Sequence, residues 1–235
     1  MNVVSSKTAP APTPSPKRPF FDWRVWTVAI VLLVAVVLSV LLGVKQQAQQ
    51  GFFGMRMFPL KTAYDFKLNG QNGTEIRLDQ LQGKVVLFLF GFTHCANICP
   101  TSMTNLADVY QALTPEERKQ VQIVFISVDP NRDTPQTLEQ YVTSFDPSFL
   151  GLTGPKSAID QTVLAYGASY EMVAGSTNQP NDYSVDHSAY TYLINPSGQF
   201  ELLYGNEKLV DVQRMVADIR AVLRERLSSP QARSE

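Results

Sequence analysis

Two nearly unbroken apolar runs, Val85 to Phe92 and Val121 to Val128, set the frame of the chain. Each has the length of a strand, and neither alternates polar with apolar residues. That is the pattern of strands covered on both faces. Between them Met103, Leu106, Val109, Tyr110 and Leu113 recur at helical spacing, up to a break at Thr114-Pro115. A strand, a helix and a second strand in this order predict a right-handed crossover to a parallel neighbour. Asp129 to Pro135 reads as a turn that caps another helix, with Leu138, Tyr141, Val142 and Phe145 inward. A short strand over 149–152 and a short helix over 158–165 follow. Further on, Asn195-Pro-Ser-Gly198 turns a strand over 189–194 into its antiparallel partner over 199–204. Leu209, Val212, Met215, Val216, Ile219, Val222 and Leu223 then mark a closing amphipathic helix. Ahead of the first run, 65–68 and 74–78 read as a hairpin around a Gly70–Gly73 turn.

The order of elements predicts an α/β domain over 62–228, a central mixed β-sheet flanked by helices, of the thioredoxin-like type. The most polar stretch inside it, 167–186, reads as a long loop, and such loops tend to be functional or mobile.

Outside the domain the pattern changes. Residues 25–44 hold no charged residue and are long enough to span a bilayer as a helix, with Trp23 and Trp26 at the interface. The residues that follow offer no small-x-small cleavage site, so a retained anchor is expected rather than a cleaved signal. Lys7, Lys17, Arg18 and Arg24 on the N-terminal flank put that end in the cytoplasm. Residues 1–24, rich in Pro, Ser, Thr and Ala, read as a disordered tail, 45–61 as a linker and 229–235 as a second tail. Met55 and Met57 lie in the linker and are read as packing residues. The simplest home is a bacterial inner membrane, crossed once, with the domain in the periplasm and lipid contact through 25–44. The formal net charge of −1 gives no nucleic-acid footprint.

The chemistry concentrates in Gly91-Phe-Thr-His-Cys-Ala-Asn-Ile-Cys-Pro-Thr101, which holds both cysteines of the chain, Cys95 and Cys99. They follow the first apolar strand, and Pro100 suits the start of a helix. A helix N-terminus favours thiolate over thiol, and thiolate both ligates metal and attacks disulfides. Three intervening residues let both sulfurs converge on one ion or close a disulfide. The motif alone leaves metal and redox chemistry open.

Three motifs now carry a resemblance: Phe92-Thr-His-Cys95 through Cys99-Pro-Thr101; Ile126-Ser-Val-Asp-Pro130 with Arg132-Asp-Thr-Pro135; and Asp186-His-Ser188 before Tyr192-Leu-Ile-Asn-Pro-Ser-Gly198. In this order, over roughly 58–227, the chain resembles the Sco/SenC family. Those are membrane-anchored thioredoxin-fold copper proteins that serve assembly of the dicopper centre in cytochrome c oxidase. The resemblance implies copper as Cu(I) or Cu(II), held by Cys95, Cys99 and His187. It also implies an oxidase subunit bearing the dicopper centre as partner, and a copper-loading chaperone as a second one. The chain departs from the family inside the site, where Ala96-Asn97 stands for the usual Pro-Asp. Two thiolates and one imidazole suit Cu(I), whereas zinc would want a fourth donor. Of the two histidines, His94 would point to the opposite face if the strand continued that far. Asp129 and Asp133 are explained by the turn and cap, and Asp186 is expected to orient His187. The competing class is a thiol-disulfide oxidoreductase or redox sensor that uses the Cys95–Cys99 disulfide without carrying copper.

Overall fold

The structure, a computed structural model, describes residues 23–48, 51–175 and 182–228. It divides into two units, 1–51 and 52–235. Of the first unit the description covers one helix, α1 (Trp23–Ala48). The second unit runs β1 (Met55–Thr62), β2 (Lys67–Gly70), β3 (Glu75–Arg77), β4 (Val85–Gly91), α2 (Ile98–Gln111), α3 (Pro115–Lys119), β5 (Val121–Ser127), α4 (Pro135–Thr143), β6 (Leu150–Thr153), α5 (Lys156–Ala165), β7 (Tyr170–Ala174), β8 (Tyr183–His187), β9 (Tyr190–Ile194), β10 (Gln199–Gly205) and α6 (Val212–Ser228).

Eight strands form one mixed sheet in the order β1-β10-β9-β4-β5-β6-β2-β3. The centre is parallel, β4 with β5 and β5 with β6, as the crossover rule requires. On one side β9 pairs antiparallel with β4, then β10 and β1 follow; on the other β2 pairs antiparallel with β6. Successive side chains of β4 enter opposite layers. Leu87 and Leu89 join Met103 and Leu106 of α2, Leu138 and Val142 of α4 and Met215 and Ile219 of α6. Phe88 and Phe90 join Phe66, Ile159 and Val163 of α5, Tyr166 and Tyr192. Every residue of β4 and of β5 is buried, which is why both read as apolar runs. The expected mixed sheet between helices is present.

Four expectations change. Helix α2 begins at Ile98, so Cys99 lies inside its first turn rather than just before it. The residues read as one long loop contain β7 and β8, which pair as a separate two-stranded sheet from Tyr170↔His187 to Ala174↔Tyr183. A short extra helix, α3, starts at a Thr114 capping box with Glu117, a signature present in the sequence as Thr-x-x-Glu. The stretch read as a linker ends in an edge strand, because β1 pairs with β10 and Phe53 packs against the core.

For the N-terminal segment, the described side chains are those of 26–39, and all are exposed. Among the described residues no helix is long and apolar enough to cross a membrane. The apolar run of the sequence extends to either side of them. The tails expected at 1–24 and 229–235 lie outside the described residues, apart from the first two residues of α1.

Candidate metal and redox site

The two thiols come from the junction of β4 and α2, and the imidazole from the last residue of β8. Their three potential ligand atoms, the Cys95 and Cys99 sulfurs and a ring nitrogen of His187, lie within 4.8 Å of one another. Cys99 Sγ stands 3.3 Å from His187 Nε2. The other ring nitrogen, Nδ1, lies 3.2 Å from the Ser188 carbonyl. Donation from Nδ1–H to that carbonyl leaves Nε2 bare and facing the thiols. The orienting group is therefore this carbonyl and not Asp186, since alternation along β8 turns Asp186 to the face opposite His187. The edge of the Phe92 ring adds a contact, with centroids 5.9 Å apart. A cleft lined by Phe92, Cys95, Ala96, Asn97, Val185 and His187, among others, opens the group to solvent.

His94 does not join them. It is half exposed, with Nδ1 3.1 Å from Thr93 Oγ1 and 3.8 Å from an Asp133 oxygen. The reason differs from strand alternation, because β4 ends at Gly91 and His94 sits in the turn beyond it.

The two cysteines are inequivalent. Cys99 is buried and Cys95 partly exposed, and both are free thiols. The Asn97 side chain makes no cap bond to α2. Instead the backbone N–H of Cys99 donates to Cys95 Sγ at 3.4 Å, so a sulfur occupies the anion position at the helix start. The Cys95 thiol is pulled down to about 4, first by the hydrogen bond from the Cys99 thiol, then by the amides of Cys99 and Asn97, against the opposing effect of burial. The Cys99 thiol moves up, first because it donates that bond and then through burial. The two opposite shifts favour the proton on the inner sulfur and the negative charge on the outer one.

Room for the inner sulfur is made by a missing side chain. A Cβ at Gly91 would stand 2.7 Å from Cys99 Sγ and 2.7 Å from the Phe125 ring, closer than any real contact. Behind the loop lie Asp129 and Asp133, which do more than a turn and a cap require. Both are fully buried. Asp133 accepts from Thr93 N at 3.0 Å, from Thr93 Oγ1 at 2.6 Å and from Ser127 Oγ at 2.6 Å, which ties the cysteine loop to β5. Asp129 pairs with Arg132 and accepts from the Tyr183 hydroxyl at 2.7 Å. Arg132 also donates to the Tyr183 carbonyl at 2.9 Å, and its guanidinium lies 3.7 Å from the centre of the Tyr183 ring. This clasp holds the start of β8, whose other end is His187. The signal for both roles was the Asp-x-x-Arg-Asp spacing, but partners 40 and 54 residues away cannot be read from it.

Comparison with known proteins gives a consistent result. The SCO1/SenC family model matches residues 56–224. A SCO2-like protein of Rickettsia conorii is 34% identical over 72% of this chain and 87% of its own length. Apo Sco1 of Thermus thermophilus superposes with a TM-score of 0.68 at 40% identity, covering 75% of this chain and 99% of that one. ScoI of Bradyrhizobium japonicum, solved with copper bound, gives 0.61 at 33% identity over 69% of this chain and 100% of that one.

Proposed function

Because the chain belongs to the SCO1/SenC family, we propose that it is a membrane-anchored copper-binding protein that serves assembly of the dicopper centre of cytochrome c oxidase. Cys95, Cys99 and His187 hold the ion, and residues 25–44 form a single span that leaves the domain on the periplasmic side of a bacterial inner membrane. The observation that carries the reading is the convergence of two sulfurs and one imidazole nitrogen within 4.8 Å. Donors sharing one ion stand at most about 4.6 Å apart when metal–sulfur bonds are about 2.3 Å, so the three atoms are set for a common ion with little adjustment. The donor set is soft and three-membered, which suits Cu(I) and falls short of the four positions of a structural zinc site. Copper is here a cargo, received from a donor and passed to an oxidase subunit.

The pairing of a thiolate at Cys95 with a buried, protonated Cys99 favours a second reading. An exposed nucleophile and an inner resolving thiol are the parts of a disulfide oxidoreductase, able to reduce the thiols of the oxidase subunit before metallation.

Copper binding by reduced and oxidised protein tests the first reading. A Cys95–Cys99 disulfide removes two of the three donors at once, so the reduced chain should take up one Cu(I) and the oxidised chain should retain none. One tight copper per chain in the oxidised form would mean that the ligands are other residues.

A further inference from the structure

The buried carboxylate of Asp133 lies under the cysteine loop and, among the described residues, forms no ion pair with an Arg or Lys. It is 0% exposed. All three of its hydrogen bonds run from Thr93 N, Thr93 Oγ1 and Ser127 Oγ to the carboxylate oxygens, the arrangement an ionised carboxylate accepts. Among the described residues the only ion-pair partner within 4 Å is His94, at 3.8 Å and half exposed. The neighbouring Arg132 directs its Nε to Asp129 and its Nη1 to the Tyr183 carbonyl. The anion is also close to the sulfurs. Ser127, which donates to it, pairs across the sheet with Gly91, and Gly91 is the residue against which Cys99 Sγ is seated. Thr93, which donates twice, is two residues from Cys95.

A buried charge that is hydrogen-bonded but not neutralised projects its field into a low-dielectric neighbourhood. With two thiolates and a neutral imidazole, a site holding Cu(I) carries a net charge of −1 and one holding Cu(II) carries none. A fixed anion behind the sulfurs repels the first and leaves the second nearly untouched. We infer that Asp133 is a positioning residue that biases the dithiol–imidazole site toward Cu(II), by holding a permanent negative charge beneath the Thr93–Cys95 loop. The inference rests on the copper reading above. The couple concerned is Cu(II) plus one electron giving Cu(I), with the electron supplied by a small-molecule reductant and no covalent bond of the protein changed.

The test is the ratio of Cu(II) to Cu(I) affinity in the full chain, each measured by anaerobic competition with a chelator selective for that oxidation state. Asp133→Asn keeps the shape and one acceptor but removes the charge. It should lower the ratio about tenfold, equivalent to a rise of about 59 mV in the one-electron potential. Ser127→Ala removes a hydrogen bond and leaves the charge less compensated, so its ratio should rise above that of the parent. A role confined to holding the loop would weaken both oxidation states together in both variants and leave the ratio unchanged, which would overturn the inference. So would a fall in the ratio for Ser127→Ala, and that arm decides the matter even if Asp133→Asn fails to fold. Should the parent chain bind neither ion, the copper reading itself falls, an outcome distinct from an unchanged ratio in variants that do bind.

Discussion

Individual residues in this site act mainly by what they leave room for and what they hold. Gly91 illustrates the first. Adding one methyl group there meets Cys99 Sγ and the Phe125 ring at the same distance of 2.7 Å, so something must move. Phe125 is fully buried in the sheet, whereas Cys99 lies in the first turn of a helix that can shift slightly. Overpacking of this kind costs about 1–3 kcal/mol, which a domain of this size survives. Gly91→Ala should therefore remain folded, with a lowered urea midpoint, while Cu(I) competition shows an affinity loss of about tenfold or more as the inner sulfur leaves its place beside His187. A variant that binds Cu(I) like the parent would show that the seat of Cys99 is not set by this glycine. The thiols themselves were legible in the sequence, because a lone pair of cysteines between an apolar strand and a helix is chemically conspicuous. The acids were not. Asp129 and Asp133 look like turn residues, and only the folded chain brings Tyr183 and Thr93 to them.

Among the elements, those with a strong hydrophobic period were readable and those without one were not. Strands β4 and β5 are wholly buried, and the apolar faces of α2, α4 and α6 repeat at helical spacing. The β7–β8 pair is different, since β7 has no buried residue and β8 only one, Val185. So little burial leaves no strong hydrophobic signal to announce the pair, and a Gly-, Asn- and Pro-containing segment between the two reads as loop. The start of α2 was displaced for a related reason. Pro100 is compatible with any position of a first helical turn, and the Cys95 sulfur supplies an anchor that no capping rule anticipates. Contacts between elements add a pH-dependent stabilisation. Arg220 of α6 donates twice to Glu117 of α3, at 2.7 and 3.0 Å, and holds its carboxyl down to about 2 from 4.5. A carboxyl with a folded pKa below its unfolded one stabilises the fold above pH 4.5, and the benefit disappears as the pH falls through about 2. Glu117→Gln should accordingly lower the urea midpoint at pH 7 and bring it close to that of the parent at pH 2. Equal differences at both pH values would assign the effect to packing rather than to the ion pair.

At the scale of the whole molecule, β8 leads almost directly into β9, the antiparallel neighbour of β4 in the mixed sheet, so that sulfur and imidazole donors 88 residues apart meet over one cleft. The proposed anchor is a separate matter, resting on the uncharged run at 25–44 and the positive flank before it. An alkaline phosphatase reporter joined after Leu227 should be active, because the enzyme matures only outside the cytoplasm. A reporter that works only in the cytoplasm and is active at the same joint would contradict the topology. The central claim concerns the trio of donors, and His187 is the member that separates copper carriage from dithiol chemistry. His187→Ala leaves both thiols, and as a partly exposed residue at the end of a peripheral strand it contributes little to the core. The decisive measurement is cytochrome c oxidase assembly in cells whose only copy of this protein carries His187→Ala, set beside a Cys95→Ala, Cys99→Ala double variant. If the three side chains hold copper as a unit, assembly fails as severely in the first strain as in the second. Normal assembly with His187→Ala, against failure of the double variant, would contradict the copper-carrier account and leave the thiol reductase in its place.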